Sequence, residues 1–280
     1  MALFKLDRVE AAIASYDHAL TAQPNTPWVL NHQGIALRQL GQPEKALANF
    51  EKVVQLRPQN HHFWNQQGIT LRQLGRHEAA LASFSKAVEL NPNNPNFWHS
   101  QAVSLRQLGR HQEALASAHR AIEINAKNPG FWNEQGAILR QLGRHEDALT
   151  SFSQAAQLNP KNPNFWHSQA VSLRQLGRHQ EALHHLHRAI ELNAQAPNFW
   201  NEQGMLLRQL GRHEDALVSF NQAVELNPKN PNFWHSQGIS LRQLGRHSEA
   251  LISFQNALAI KPDFPAAQGN LALTEQQLGQ

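Results

Sequence analysis

Cysteine is absent from this 280-residue chain, which rules out a disulfide framework or a thiolate metal site and leaves the redox compartment undefined. No apolar run approaches the roughly 20 residues that cross a bilayer, and the amino terminus carries no signal-peptide pattern. The chain therefore reads as soluble, with a cytoplasmic location expected and no membrane partner. Glycine-rich phosphate loops are missing, as is any Ser, His and Asp set standing apart from the rest of the pattern. Catalysis finds no foothold, so the chain reads as non-enzymatic and without a cofactor. The net charge of +4 is modest.

What the sequence does contain is a period. Trp64, Trp98, Trp132, Trp166, Trp200 and Trp234 stand 34 residues apart, and the string WHSQAVSLRQLGRHQEAL from Trp98 to Leu115 returns unchanged from Trp166 to Leu183. Taking residue 61 as position 1, Trp64 falls at position 4, Gly68 at 8, Leu71 at 11, Ala80 at 20, Phe84 at 24, Ala87 at 27 and Pro92 at 32. This spacing resembles the tetratricopeptide repeat, with its W-x2-L-G-x2-Y, A-x3-F and P landmarks.

That resemblance implies an all-α fold, a right-handed superhelical solenoid of tandem helix-turn-helix repeats. Its register gives a partial repeat at 1–26, seven full repeats over 27–264 and a lone capping helix at 265–280. Gln268 stands where that last helix should carry Trp, and polar residues there suit a solvating cap. The front end has no such cap, so a segment of a longer protein is expected.

Elementary helix chemistry agrees. Trp98, Ala102, Leu105 and Leu108 recur at helical spacing, as do Ala114, Leu115, Ala118, Ala121 and Ile122. Gly109 separates them and suits a helix C-terminus. Pro92, Pro160 and Pro228 stop the second helices, while Pro95, Pro129, Pro163 and Pro231 open the next first helices. One such pair cannot bury its apolar faces but stacked pairs can, so a continuous core is expected. The tryptophans read as core residues, and Phe63, Phe97, Phe131, Phe165, Phe199 and Phe233 beside them as packing on the preceding helix.

In the family, positions 2, 5, 9, 12 and 13 line a concave face, and the rows there are uniform. Position 5 holds Asn31, Asn65, His99, Asn133, His167, Asn201 and His235. Position 9 is apolar throughout: Ile35, Ile69, Val103, Ala137, Val171, Met205 and Ile239. Position 12 is arginine in every repeat, at Arg38, Arg72, Arg106, Arg140, Arg174, Arg208 and Arg242. Position 13 is glutamine, from Gln39 through Gln73, Gln107, Gln141, Gln175 and Gln209 to Gln243. Trp28, at position 2, reads either as an exposed anchor at one end of the groove or as packing on the first fragment.

Arginine presents fixed donors suited to carboxylates and phosphates. An extended chain advances roughly 3.3 Å per residue and would meet one arginine every few residues. The expected partner is therefore a protein or peptide with spaced acids and apolar residues between. A structural alternative is that the arginines pair with acids of a neighbouring repeat, such as Glu134 and Glu202. Other readings are a sensor segment of a larger protein, a single-strand nucleic-acid track, self-association, and a designed or recently duplicated array with no selected ligand. The usual carboxylate clamp and asparagine ladder of the family are not present in their ordinary positions.

Histidines complete the inventory. His99, His167 and His235 would add positive charge to the groove below neutral pH and strengthen an acidic partner's binding. His184 and His187, three apart, fit one metal, but no carboxylate completes the set and no metal site is assigned. Finally, repeats alternate between WHSQ (at 95, 163 and 231) and WNEQ (at 129 and 197), a 68-residue super-period.

Overall fold

The structure, a computed structural model, describes residues 2–279, with side chains from residue 8 onward. Helices begin and end where the punctuation of the sequence directs. They are α1 (Ala2–Ala22), α2 (Pro27–Gln39), α3 (Pro43–Leu56), α4 (His61–Gln73), α5 (His77–Leu90), α6 (Pro95–Gln107), α7 (His111–Ile124) and α8 (Pro129–Gln141). There follow α9 (His145–Leu158), α10 (Pro163–Gln175), α11 (His179–Leu192), α12 (Pro197–Gln209), α13 (His213–Leu226), α14 (Pro231–Gln243), α15 (His247–Ile260) and α16 (Pro265–Leu278). No strand occurs among the described residues.

Each first helix starts behind an asparagine where one is available. The Asn60, Asn94, Asn128, Asn162 and Asn230 side chains accept from the N–H two residues ahead, satisfying one of the orphan donors of the first turn. Ala196 stands at the same place before α12 and provides no side-chain cap. At the other end a glycine turns the chain. Gly109 takes φ 75°, a left-handed conformation costly for any residue with a Cβ. The Arg110 N–H then returns to the Leu105 carbonyl at 2.9 Å, closing the helix end.

The chain divides into two compact units, Met1–Leu142 and Gly143–Gln280. The division falls after α8, inside the repeat 129–162. Within the first unit, Phe63 packs with Leu30, Phe50 and Val53, and Phe97 packs on Ala87 and Val88 of the preceding second helix. Within the second, Phe233 packs on Ala223 and Val224 in the same way.

The tryptophans need a correction. Phe63, Phe97 and Phe233 are almost wholly buried, whereas Trp64, Trp98, Trp132, Trp166, Trp200 and Trp234 are only half-buried. An indole N–H taken out of water needs an acceptor. Each of these rings sits at the margin of the apolar cluster, where Nε1 donates to the carbonyl six residues before it. Trp98 meets Pro92 O at 2.7 Å and Trp200 meets Ala194 O at 2.8 Å. In α16, Gln268 keeps that bond, donating from Nε2 to Pro262 O at 2.9 Å, while giving up the apolar ring.

A glycine and a phenylalanine are matched inside the helix pairs. A Cβ on Gly204 would lie 2.6 Å from the Phe220 ring, and one on Gly34 would lie 2.7 Å from Phe50. Where the chain carries Ala102 or Ala170 instead of glycine, the facing position holds the smaller Ala118 or Leu186, which leaves room for the Cβ.

Glutamine stands at position 7 of every full repeat, and several of these amides are paired with a second helix. Gln67 Oε1 accepts from Ser83 Oγ at 2.8 Å, and Gln203 Oε1 from Ser219 Oγ at 2.8 Å, each on the second helix of the same repeat. Gln101 accepts from Ser117 and also donates back to Ser85 of the preceding repeat at 3.0 Å. These amides stitch successive helices together with satisfied hydrogen bonds.

Candidate functional site

The first helices α2, α4, α6 and α8 carry the rows in the first unit, and α10, α12 and α14 carry them in the second. Spacing along each helix puts positions 5, 9 and 12 on one side, with position 13 beside them. The glutamines Gln39, Gln73, Gln107, Gln141, Gln175, Gln209 and Gln243 are exposed, and the apolar row beside them is half-buried. Trp28 is 61% exposed, its ring edge-on to Phe63 with centroids 5.8 Å apart, so it both touches the following repeat and faces solvent.

Position 5 lies deeper than a ligand-contact row on the sequence reading. Asn31 is buried; Asn65, His99, Asn133, His167, Asn201 and His235 are half-buried. In the first unit the Asn31 and Asn65 side-chain carbonyls are buried without a partner, as is that of Asn201 in the second. His99 lies on Phe131 of the next repeat at 5.2 Å, His167 on Phe199 at 4.9 Å, and His235 on Phe264 at 4.9 Å. Burial pushes His99 below the ordinary imidazole range; Glu134 opposes that, and Arg72 and Arg106 add to it. His235 is likewise lowered, chiefly by burial. Protonation of these two rings on mild acidification, expected from the sequence, is thus displaced to lower pH, because charging them means charging a ring packed against phenylalanine.

The arginine row is where geometry says most. All seven side chains are half-buried, and Arg38, Arg106 and Arg174 reach to the first helix of the following repeat. Arg38 Nη2 donates to Gln66 Oε1 at 2.8 Å and Nη1 to Thr70 Oγ1 at 3.2 Å. Arg106 Nε donates to Glu134 Oε1 at 2.6 Å and Nη2 to Oε2 at 3.4 Å. In the second unit Arg174 Nε donates to Glu202 Oε1 at 2.5 Å. The carboxylates of these two pairs are nearly buried, with side-chain exposures of 8%.

In each of these three cases a partner occupies position 6 of the next repeat, one of the two positions at which WHSQ and WNEQ differ. The super-period is therefore an alternation in how the arginines are neutralised. Arg72 and Arg208 each precede a repeat with serine there, Ser100 and Ser236, and neither has a carboxylate partner among the described residues. Their guanidinium groups lie over Phe84 at 5.5 Å and Phe220 at 5.6 Å, and burial lowers the pKa of both. Arg208 Nη1 is buried with no hydrogen-bond partner.

A second set of arginines, at the turns after α6, α10 and α14, is spent locally. Arg110 pairs with Glu113, Arg178 with Glu181 and Arg246 with Glu249, all exposed and three residues apart, so they contribute little. The histidine-rich stretch of α11 is also absorbed by packing: His185 stacks on Trp166 with ring centroids 5.6 Å apart. Among the described residues, no three His, Asp or Glu side chains come together as a metal set would require. None of the described helices is long and apolar enough to cross a membrane.

Comparison with known proteins matches this architecture. A family model described as Tetratricopeptide repeat matches residues 32–95, 99–163 and 167–231, and further models of the same description match 219–252 and 1–26. The comparison with curated proteins gives no match. Among solved structures, the chain is similar to one from the APC/C hetero-tetramer Cut9-Hcn1, at 20% identity and TM-score 0.71, covering 97% of this chain and 54% of that one. It thus spans about half the length of that protein. A tetratricopeptide repeat protein from Parabacteroides merdae matches at 16% identity and TM-score 0.71, covering 89% of this chain and 98% of that one. YrrB, described as a protein with an unusual peptide-binding site, matches at 24% identity and TM-score 0.53, covering 66% of this chain and 96% of that one.

Proposed function

Because this chain belongs to the tetratricopeptide repeat family, we propose that it is a non-enzymatic interaction scaffold whose first-helix face binds an acidic, partly apolar peptide or partner segment. In this reading the chain comprises a partial repeat at 1–26, seven full repeats over 27–264 and a closing helix at 265–280. The observation that carries it is one combination, present in each unit: a half-buried apolar row beside arginines of which some have no carboxylate partner. Ile69 and Val103 accompany Arg72 in the first unit, and Met205 and Ile239 accompany Arg208 in the second. Apolar contacts would supply affinity, while an arginine without an internal partner would select for acids. YrrB, whose description names a peptide-binding site, is consistent with such a use of the fold.

A peptide-array screen of the wild type beside an Arg72→Gln, Arg208→Gln variant tests this. Acidic peptides should dominate the wild-type signal and weaken on the variant. Equal binding of acidic and neutral peptides, or stronger capture of single-stranded RNA than of any peptide, would overturn it.

A further inference from the structure

Position 6 makes the chain its own control. Arg174 receives a carboxylate from Glu202, and in the first unit Arg106 receives one from Glu134. Arg208 is the same residue on an equivalent helix, yet the following repeat presents Ser236 in place of a glutamate. A serine side chain is two atoms too short to bring an oxygen to that guanidinium.

Three further observations concern this one place. Arg208 Nη1 is buried without a partner, although a buried charged donor left unpaired is costly. Ser240, one turn beyond Ser236, is fully buried and its Oγ also lacks a partner. Arg38 shows that an arginine in this row reaches both of the corresponding positions, Gln66 and Thr70. Ser236 and Ser240 occupy the positions of the following repeat that correspond to Gln66 and Thr70. One repeat further on, position 6 is again neutral: Asn270 lies with Nδ2 3.0 Å from His235 Nε2. Arg72 differs here, because Glu134 lies near enough to act on it electrostatically.

The geometry points to a carboxylate-binding pocket at Arg208, flanked by Ser236 and Ser240, in which a side-chain carboxylate of a bound peptide takes the place that Glu202 takes on Arg174. Arg208 supplies paired N–H donors, and the half-buried Ser236 hydroxyl supplies a further donor to the same oxygens. Packing of the guanidinium over Phe220 holds the fork in place before the ligand arrives. The pocket rests on the acidic-peptide reading only for the source of its carboxylate.

The experiment uses the full chain and two probes. Arginine side-chain NMR during titration with sodium acetate reads the pocket alone. The Arg208 Nε–H resonance should shift and saturate in the wild type, while those of Arg106 and Arg174, already paired, stay still. Ser236→Glu should abolish the shift by supplying an internal occupant, and it should fold normally because Glu134 and Glu202 already stand at equivalent positions. Fluorescence anisotropy with a labelled peptide of alternating leucine and glutamate, beside its leucine and glutamine counterpart, reads the groove. Ser236→Glu should weaken the acidic peptide about tenfold, the value of one charge-assisted contact, and leave the neutral one unchanged. An Arg208 resonance that acetate does not move overturns the pocket. Peptide binding that survives Ser236→Glu unchanged also overturns it and leaves the groove reading standing. An acetate-responsive Arg208 without any peptide binding keeps the pocket, for a small free carboxylate, and removes the groove.

Discussion

Arg106 and Glu134 lie 28 residues apart in sequence and form a two-bond ion pair between successive first helices, with Nε and Oε1 at 2.6 Å. The pair turns part of what resembles a ligand-binding row into part of the scaffold. It also explains why near-identical repeats alternate: a glutamate in one repeat neutralises the arginine of the repeat before it.

Removing that glutamate should destabilise the first unit. Glu134→Ser leaves Arg106 half-buried without its carboxylate and should cost about 1–3 kcal/mol. Glu134→Gln should recover part of the loss, because Gln66 already satisfies Arg38 in this manner. Urea midpoints of the three proteins check it, and a Glu134→Ser midpoint equal to wild type would show that the pair is energetically idle.

The glycine and phenylalanine pairing predicts a compensation. Gly204→Ala places a methyl 2.6 Å from the Phe220 ring, and overpacking of this kind costs about 1–3 kcal/mol. That exceeds the roughly 1 kcal/mol that alanine gains over glycine in helix propensity. Phe220→Leu on the Gly204→Ala background should restore most of the loss, since Ala170 with Leu186 is that combination already in the chain. Thermal melts showing the double variant no better than Gly204→Ala would refute the matched-volume account.

Stability should fall with acidification through His99. Its folded pKa lies below the unfolded value of about 6.5, so the unfolded chain binds more protons between the two. The contribution is therefore fully present above pH 6.5 and is lost progressively as pH falls from there toward the lowered folded value. Glu134, Arg72 and Arg106 face the ring and set the residual field. His99→Asn, which copies Asn65 and Asn133, should flatten the urea midpoint between pH 6.5 and 5 relative to wild type. An unchanged slope would place the titration elsewhere.

Much of this was legible before any coordinates. Gly109 and Pro95 mark helix ends because glycine tolerates a left-handed turn and proline suits a first helical position, both local properties of the backbone. The match of Ala170 with Leu186 was also written in the sequence, although only the closeness of Gly204 to Phe220 gives it meaning. Trp98 reads as core in the sequence and lies only half-buried against it, because periodicity reports which side a residue faces and not how far in it lies. Its indole N–H holds it at the edge, against the Pro92 carbonyl.

The sequence alone determined the repeat, the helix ends and the composition of each row, since those depend on residues within a few positions of one another. Which arginines are free was decided by tertiary structure. That depends on the offset at which one helix pair stacks on the next, which sets Arg174 against Glu202 and Arg208 against the region of Ser236. Identical residues in identical local contexts thus carry different electrostatic duties, because charge pairing acts through space and follows the stacking rather than the chain.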